Sequence, residues 1–391
     1  MRRSASRFRK IARATPSLAA FGAVLALAGF GGGWWGARHA DGQKIAYTKG
    51  RSEPLKEAPV RPAPPAFQAE VEHLSKAYGE PAGIAVSEVA QGWTAHALGD
   101  ETFPQQSVSK LWVALTVMQA VDDQRLSLGQ TVVMGPEDRS VFYQPLASRL
   151  RASRPFEITI GDLLRHALIE SDNAANDRLI REVGGPGVVA RTIASKGLRG
   201  LAVGGTERDV QTKTAGLQWK PDYGTTWIFK QARAALPEDV RDQALTTYLT
   251  NPPDGATPDG IVTALAALKR GELLSRASTD FMLGLMGEAR TGRLRLKAAV
   301  APGWTLAHKT GTGPDWRGAS VGINDVGLLT APDGRTFAVA VMIRQTRQGA
   351  AARHRLMQGV ARAVEAYWRD SGQAAARQQQ AQARAATQAG L

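Results

Sequence analysis

Ser107-Val108-Ser109-Lys110-Leu111-Trp112-Val113-Ala114-Leu115-Thr116-Val117-Met118-Gln119-Ala120-Val121 is the stretch whose reading decides the fold. A serine and a lysine three apart sit on one helix face, one turn from each other. The residues after the lysine are almost wholly apolar, which predicts a buried helix from Ser107 to about Asp122. An ammonium group at the start of such a helix needs a partner or a chemical task, because burying a charge is costly. A neutral or hydrogen-bonded lysine there can take the serine proton, and the helix N-terminus favours developing negative charge. Alone, Ser-x-x-Lys is common enough to be a solvated helix start.

Two further strings change that reading. Ser171-Asp172-Asn173 falls between helical patterns at 160–170 and 174–183. Ser171 can relay a proton to a leaving group and Asn173 can hold a substrate amide. The same residues also read as an N-cap cluster for the helix starting at Ala174, and both readings can hold together. Lys309-Thr310-Gly311 ends an apolar strand, Thr305–Lys309, and is followed by Thr312-Gly313. A strand edge pairs with extended substrates, Lys309 and Thr310 offer a charge and a hydroxyl for a carboxylate, and Gly311 allows close approach to the backbone. In this order the three strings supply a nucleophile, two proton-handling groups and a cationic clamp, which is the equipment of a serine acyl-transfer enzyme.

Outward from these motifs the chain divides by composition. Basic residues from Arg2 to Arg13 precede an apolar run from about Leu18 to Trp35. That order marks export or membrane insertion, and the reading is an uncleaved anchor over a cleaved signal. Residues 1–40 thus form the basic N-terminus and anchor or signal segment, and 41–65 a Pro-rich linker. Residues 66–370 form the catalytic domain, with an insert at about 212–255, and 371–391 an Ala/Gln-rich tail expected to be a frayed helix or disordered. The positive-inside rule places the catalytic domain in the periplasm or at the periplasmic face of the inner membrane. Helical spacing covers 66–78, 260–269, 278–287 and 351–368, while 82–89, 94–98, 323–329 and 337–343 read as strands. Strands at both ends with helices between predict an α+β fold: an antiparallel sheet of N- and C-terminal strands flanked by helices, with an all-helical subdomain.

The formal net charge is +14, but residues 1–65 carry +9 and residues 66–370 only +3, so no nucleic-acid groove is expected. There is no cysteine, which excludes disulfides and a thiol nucleophile, and the six histidines lack ligand spacing. No cofactor and no metal are expected. Gly318-Ala319-Ser320-Val321-Gly322 matches G-x-S-x-G, but a strand pattern follows it where a nucleophile elbow requires a helix.

The three motifs, and the segments around them, resemble a class A serine β-lactamase, a relative of the D-alanyl-D-alanine peptidases. The likeness runs from about Phe67 to Trp368. Its other carriers are Phe103-Pro104, Ile158-Thr159-Ile160-Gly161-Asp162-Leu163, Gly184-Gly185-Pro186, Thr257-Pro258 and Thr291-Gly292 with Arg295-Leu296. The resemblance implies Ser107 as nucleophile with Lys110, Ser171 and Lys309 in catalysis. It also implies Asn173, Thr310, Gly311 and Thr312 against the substrate, Tyr143 as a cleft wall, and an oxyanion hole of the Ser107 and Thr312 backbone N–H groups.

Glu207 falls at the ungapped spacing of the family's deacylating glutamate, although Gln211 stands where the family carries asparagine. Glu238 and Asp254 are the fallbacks. After Glu207 the chain departs from the pattern with a long insert holding Trp219, Tyr223, Trp227 and Phe229. These aromatics either cover the cleft as a lid or bury one another at the surface. An arginine partner after the third motif would be Arg317. The implied substrate is a small-molecule β-lactam opened through an acyl-enzyme, with the domain acting as a monomer. The alternatives are a peptidase acting on peptidoglycan peptides and a membrane-tethered penicillin-binding sensor.

Overall fold

In the computed structural model of the chain, residues 61–150 and 154–388 are described. They lie within one unit, Tyr47–Leu391. The expected anchor and most of the linker fall outside the described residues. Among those described, no helix is long and apolar enough to cross a membrane.

A seven-stranded sheet forms from β1 (Arg61–Pro62), β2 (Ala82–Glu88), β3 (Trp93–Ala97), β8 (Thr305–Gly311), β9 (Asp315–Trp316), β10 (Ala319–Thr330) and β11 (Thr336–Thr346). Its order is β1-β3-β2-β11-β10-β8, with β9 on β10, so the N-terminal strand β2 meets the C-terminal strand β11. All pairs are antiparallel except β1 with β3. Two short ribbons lie outside it: β4 (Phe103–Pro104) with β7 (Gly255–Ala256), and β5 (Thr131–Met134) with β6 (Phe156–Thr159).

Strand β11 shows why the sheet is covered on both sides. Side chains alternate across a strand. Phe337, Val339, Val341 and Ile343 join one core, while Ala338, Ala340 and Met342 join the other. On the first face, α1 (Pro65–Ala77) packs beside α11 (Ala350–Gln388), with Phe67, Trp93 and Tyr367 in edge and tilted ring contacts at 5.0–5.5 Å. Helix α11 runs well past Trp368, where the periodic pattern ends, because Ala, Gln and Arg are strong helix formers.

The other face carries the helical subdomain: α2 (Lys110–Asp122), α3 (Ile160–Arg165), α4 (Asn173–Glu182), α5 (Pro186–Ser195), α6 (Glu207–Thr214), α9 (Pro258–Lys269) and α10 (Arg276–Gly287). Ten of the thirteen residues of α2 are buried. Full burial of side chains such as Leu111, Leu115 and Met118 contributes about 1.5–3 kcal/mol each, which offsets the cost of carrying Lys110 inside. The insert forms two more helices, α7 (Thr226–Ala234) and α8 (Glu238–Thr250).

Candidate active site

Ser107 lies one turn before α2, on a tight helical turn, Gln106–Ser109, rather than in the α-helix itself. The turn puts Lys110 Nζ 2.8 Å from Ser107 Oγ. Lys110 is fully buried and spends its other two donors on Asn173 Oδ1 at 2.9 Å and Glu207 Oε1 at 2.5 Å. A buried lysine therefore joins all three groups in one hydrogen-bonded cluster.

Glu207 is delivered to this cluster by the start of α6, which Thr206 caps by accepting from the Asp209 N–H. A second carboxylate fixes the entry. Asp177, four residues after Asn173 on α4, accepts from the Glu207 N–H at 2.6 Å and the Arg208 N–H at 3.2 Å, and Ser140 Oγ donates to it. Burial, and next the nearby charge of Glu207, push the Asp177 carboxyl up to about 7. The sequence reading had not picked out Asp177. Its i+4 spacing from Asn173 was the available signal.

The second motif follows α3 and a widened turn, His166–Glu170, that ends with Ser171 at φ +66. A left-handed serine is unfavourable and persists only where its surroundings hold it. Asp172 does so: it is fully buried and accepts from Ala175 N–H and Leu146 N–H. The N-cap reading and the cleft reading of this motif both hold structurally. Asn173 uses its amide nitrogen on Val141 O, so the residue is braced as well as presented to the cleft.

The third motif ends β8, in register with β10: Lys309 faces Val326 and Gly311 faces Asn324. Lys309 Nζ donates to Ser171 Oγ at 2.8 Å. Complete burial, with the charge of Lys110 next, holds the Lys309 ammonium well below the usual lysine range. Gly311 is sterically required, since a Cβ there would stand 2.3 Å from Gln105 O.

Ser107, Ser171, Asn173, Glu207, Thr310 and Thr312 line one cleft of about 410 Å³. Tyr143 stands 58% exposed among its lining residues, at the rim. A wider, shallower groove of about 620 Å³ between α1 and β3 has no comparable convergence of groups.

Arg317 is a correction. It pairs with Glu238 and Asp242 of α8 and does not line the cleft, because the chain turns away at Arg317 with φ +49. The cleft arginine is Arg295, whose guanidinium donates to Gly311 O, Asn324 O and Thr312 Oγ1. Of the fallback acids, Glu238 is exposed on that pairing, and Asp254 is buried behind Ser107, accepting from the Gln106 N–H. Ser320 of the G-x-S-x-G string sits within β10 and donates to Asp315.

The lid reading of the insert also gives way. Tyr223 and Phe229 are buried with Val141 and Ala215, and Phe142 meets Phe229 edge-on at 4.9 Å. No residue of the 212–255 insert lines the cleft.

With this geometry in place, comparison with known proteins gives consistent matches. The sequence model of a family described as the beta-lactamase enzyme family matches residues 66–368. The beta-lactamase VEB-1 of Pseudomonas aeruginosa is 24% identical over 299 residues, 76% of this chain and 89% of the relative. The extended-spectrum beta-lactamase PER-1 of the same organism is 29% identical over 250 residues, 63% and 70% of the two chains. A crystal structure of a beta-lactamase from Chitinophaga pinensis DSM 2588 superposes with TM-score 0.63 at 24% identity, covering 78% of this chain and 99% of that one, and shares the fold.

Proposed function

The chain belongs to the beta-lactamase enzyme family, and from that premise we propose that it hydrolyses β-lactams through an acyl-enzyme on Ser107, deacylated by water with Glu207 as base. β-Lactam hydrolysis is the activity of the family. The observation that supports the finer reading is the Lys110 ammonium, bonded at once to Ser107, Asn173 and Glu207.

All three donors of Lys110 are engaged, so it takes a proton from Ser107 only after passing one to Glu207. Ser107 Oγ then attacks the β-lactam carbonyl carbon. The Oγ–C bond forms, the amide C–N bond breaks, and the N–H groups of Ser107 and Thr312 receive the developing oxyanion. The leaving nitrogen takes its proton from Ser171 Oγ, which the readily deprotonated Lys309 resupplies through their 2.8 Å contact. Arg295, through its bond to Thr312 Oγ1, and the hydroxyls of Thr310 and Thr312 form the cationic end of the cleft suited to a substrate carboxylate. Before the second half-reaction Glu207 gives up the proton it holds, and solvent replaces the one that Lys309 lost. The Glu207 carboxylate then takes a proton from water, the new C–O bond forms, and Ser107 Oγ leaves with a proton from Lys110 that Glu207 replaces.

The purified full chain should consume penicillin, read as loss of β-lactam absorbance, faster than it releases D-alanine from a D-alanyl-D-alanine peptide. D-Alanine release without β-lactam turnover would assign the same residues to a peptidase.

The catalytic region is also proposed to work on the periplasmic side, tethered by residues 18–35, on the support of the basic-then-apolar N-terminus. A reporter that is active only when exported, fused after residue 60, should be active and membrane-bound. Activity confined to a soluble cytoplasmic fraction would contradict the tether.

A further inference from the structure

We propose that Tyr248, on insert helix α8, is a positioning residue that sets the spacing of the two oxyanion donors by holding Gln106; the inference rests on the acyl-transfer reading above. Gln106 immediately precedes the nucleophile and has φ +52. A non-glycine residue in that region is strained and relaxes unless its surroundings fix it.

Three buried partners fix it. The Gln106 N–H donates to Asp254 Oδ2 at 2.7 Å, its side-chain Nε2 donates to Tyr248 OH at 2.5 Å, and its Oε1 accepts from Gln211 Nε2 at 2.9 Å. Tyr248 OH in turn donates to Asp254 Oδ2 at 3.1 Å, which closes a ring through the Gln106 backbone and side chain. The other oxygen of Asp254 is buried with no partner among the described residues, so this carboxylate depends on those two donors. Burial raises the Asp254 carboxyl to about 6, with the bond from Tyr248 opposing the rise.

The Gln106 side chain also spans the second donor's support. A Cβ at Gly322, Gly313 or Gly311 would come within 2.6, 3.0 or 3.3 Å of its atoms. It is therefore wedged between the turn that carries the Ser107 N–H and the segment that carries the Thr312 N–H. Its far end is clamped by Tyr248 from the insert and by Gln211 from the helix of Glu207. The clamp is itself anchored, because α8 is tied to the β9–β10 turn by Trp316 Nε1 donating to Asp242 and by the Arg317 ion pairs. Tyr248 further packs with Val210, Leu245 and Val321. The insert is thus a strut behind the oxyanion hole.

Tyr248→Phe removes one hydroxyl and keeps the ring packing. Acylation of the full-length variant by a fluorescent penicillin, per titrated active site, should slow by about tenfold, less than the 10²–10³ lost when a whole oxyanion donor is removed. The ester carbonyl of the acyl-enzyme, recorded by rapid-mixing infrared spectroscopy, should move to higher frequency as its hydrogen bonds weaken. An unchanged carbonyl frequency, with or without a slower rate, overturns the inference, since a purely structural role does not retune that bond. If Tyr248→Phe does not fold, Gln106→Met keeps the backbone bond to Asp254, loses the side-chain clamp, and is judged by the same two readings. Wild-type protein that never labels refutes the acyl-transfer reading and the inference with it, whereas labelled wild type with an indistinguishable variant refutes the inference alone.

Discussion

Ser107→Ala should abolish covalent labelling by penicillin and lower turnover by about 10⁶-fold, the scale of losing an acyl-transfer nucleophile. The loss is chemical. Ser107 Oγ is one of three acceptors of Lys110, and the variant leaves that ammonium its bonds to Asn173 and Glu207. The buried charge keeps its compensation and the fold persists. Ser320→Ala is the matched control: its hydroxyl donates to Asp315 and does not line the cleft, so labelling stays intact. Labelling that survives in Ser107→Ala, or disappears in Ser320→Ala, contradicts the assignment.

Glu207→Gln should still acylate, more slowly because Lys110 must then shed its proton to solvent. It should accumulate the acyl-enzyme because deacylation loses its base outright, with turnover slowed by about 10²–10⁴-fold, the usual contribution of a general base. The amide oxygen of glutamine can still accept from Lys110, so the variant need not abandon a buried ammonium. It also leaves the Glu207 N–H on Asp177, so α6 keeps its entry. What it removes is a carboxylate able to take a proton from water. Mass spectrometry of the quenched reaction reads the trapped adduct directly. Turnover equal to wild type would move the base elsewhere.

The parts of this site that were legible in the sequence are those whose contacts follow from local spacing. Ser107 and Lys110 meet because three residues make one turn, and the apolar run after them makes α2 a buried helix. The apolar run Phe337–Ile343 likewise reads as a strand, and being apolar at every position it fits the coverage of both faces found in the fold. Glu207 was reachable only through the family spacing from Ser171, since nothing local joins it to Lys110.

The remainder depends on chain segments meeting far from one another in sequence. Arg317 lies close after the third motif in sequence, yet the backbone turns it toward Glu238 and Asp242. Arg295 was in view before the third motif, but its role arises from the loop after α10 lying beside the end of β8. The insert carried no clear periodic signal: in α8 only Leu245 and Tyr248 are buried, so its helices show mainly through packing. Tyr248 gains its place through a buried polar cluster of four residues, Gln106, Gln211, Tyr248 and Asp254, drawn from three separate segments, which no pattern in the chain announces.

The central claim is that Ser107 is acylated and then released by water. Time-resolved mass spectrometry of the full chain mixed with penicillin tests it most directly. The account predicts an adduct of one penicillin mass on the peptide containing Ser107, rising first and then decaying while hydrolysed product accumulates. Product without any adduct on that peptide, or an adduct that never decays, would contradict it.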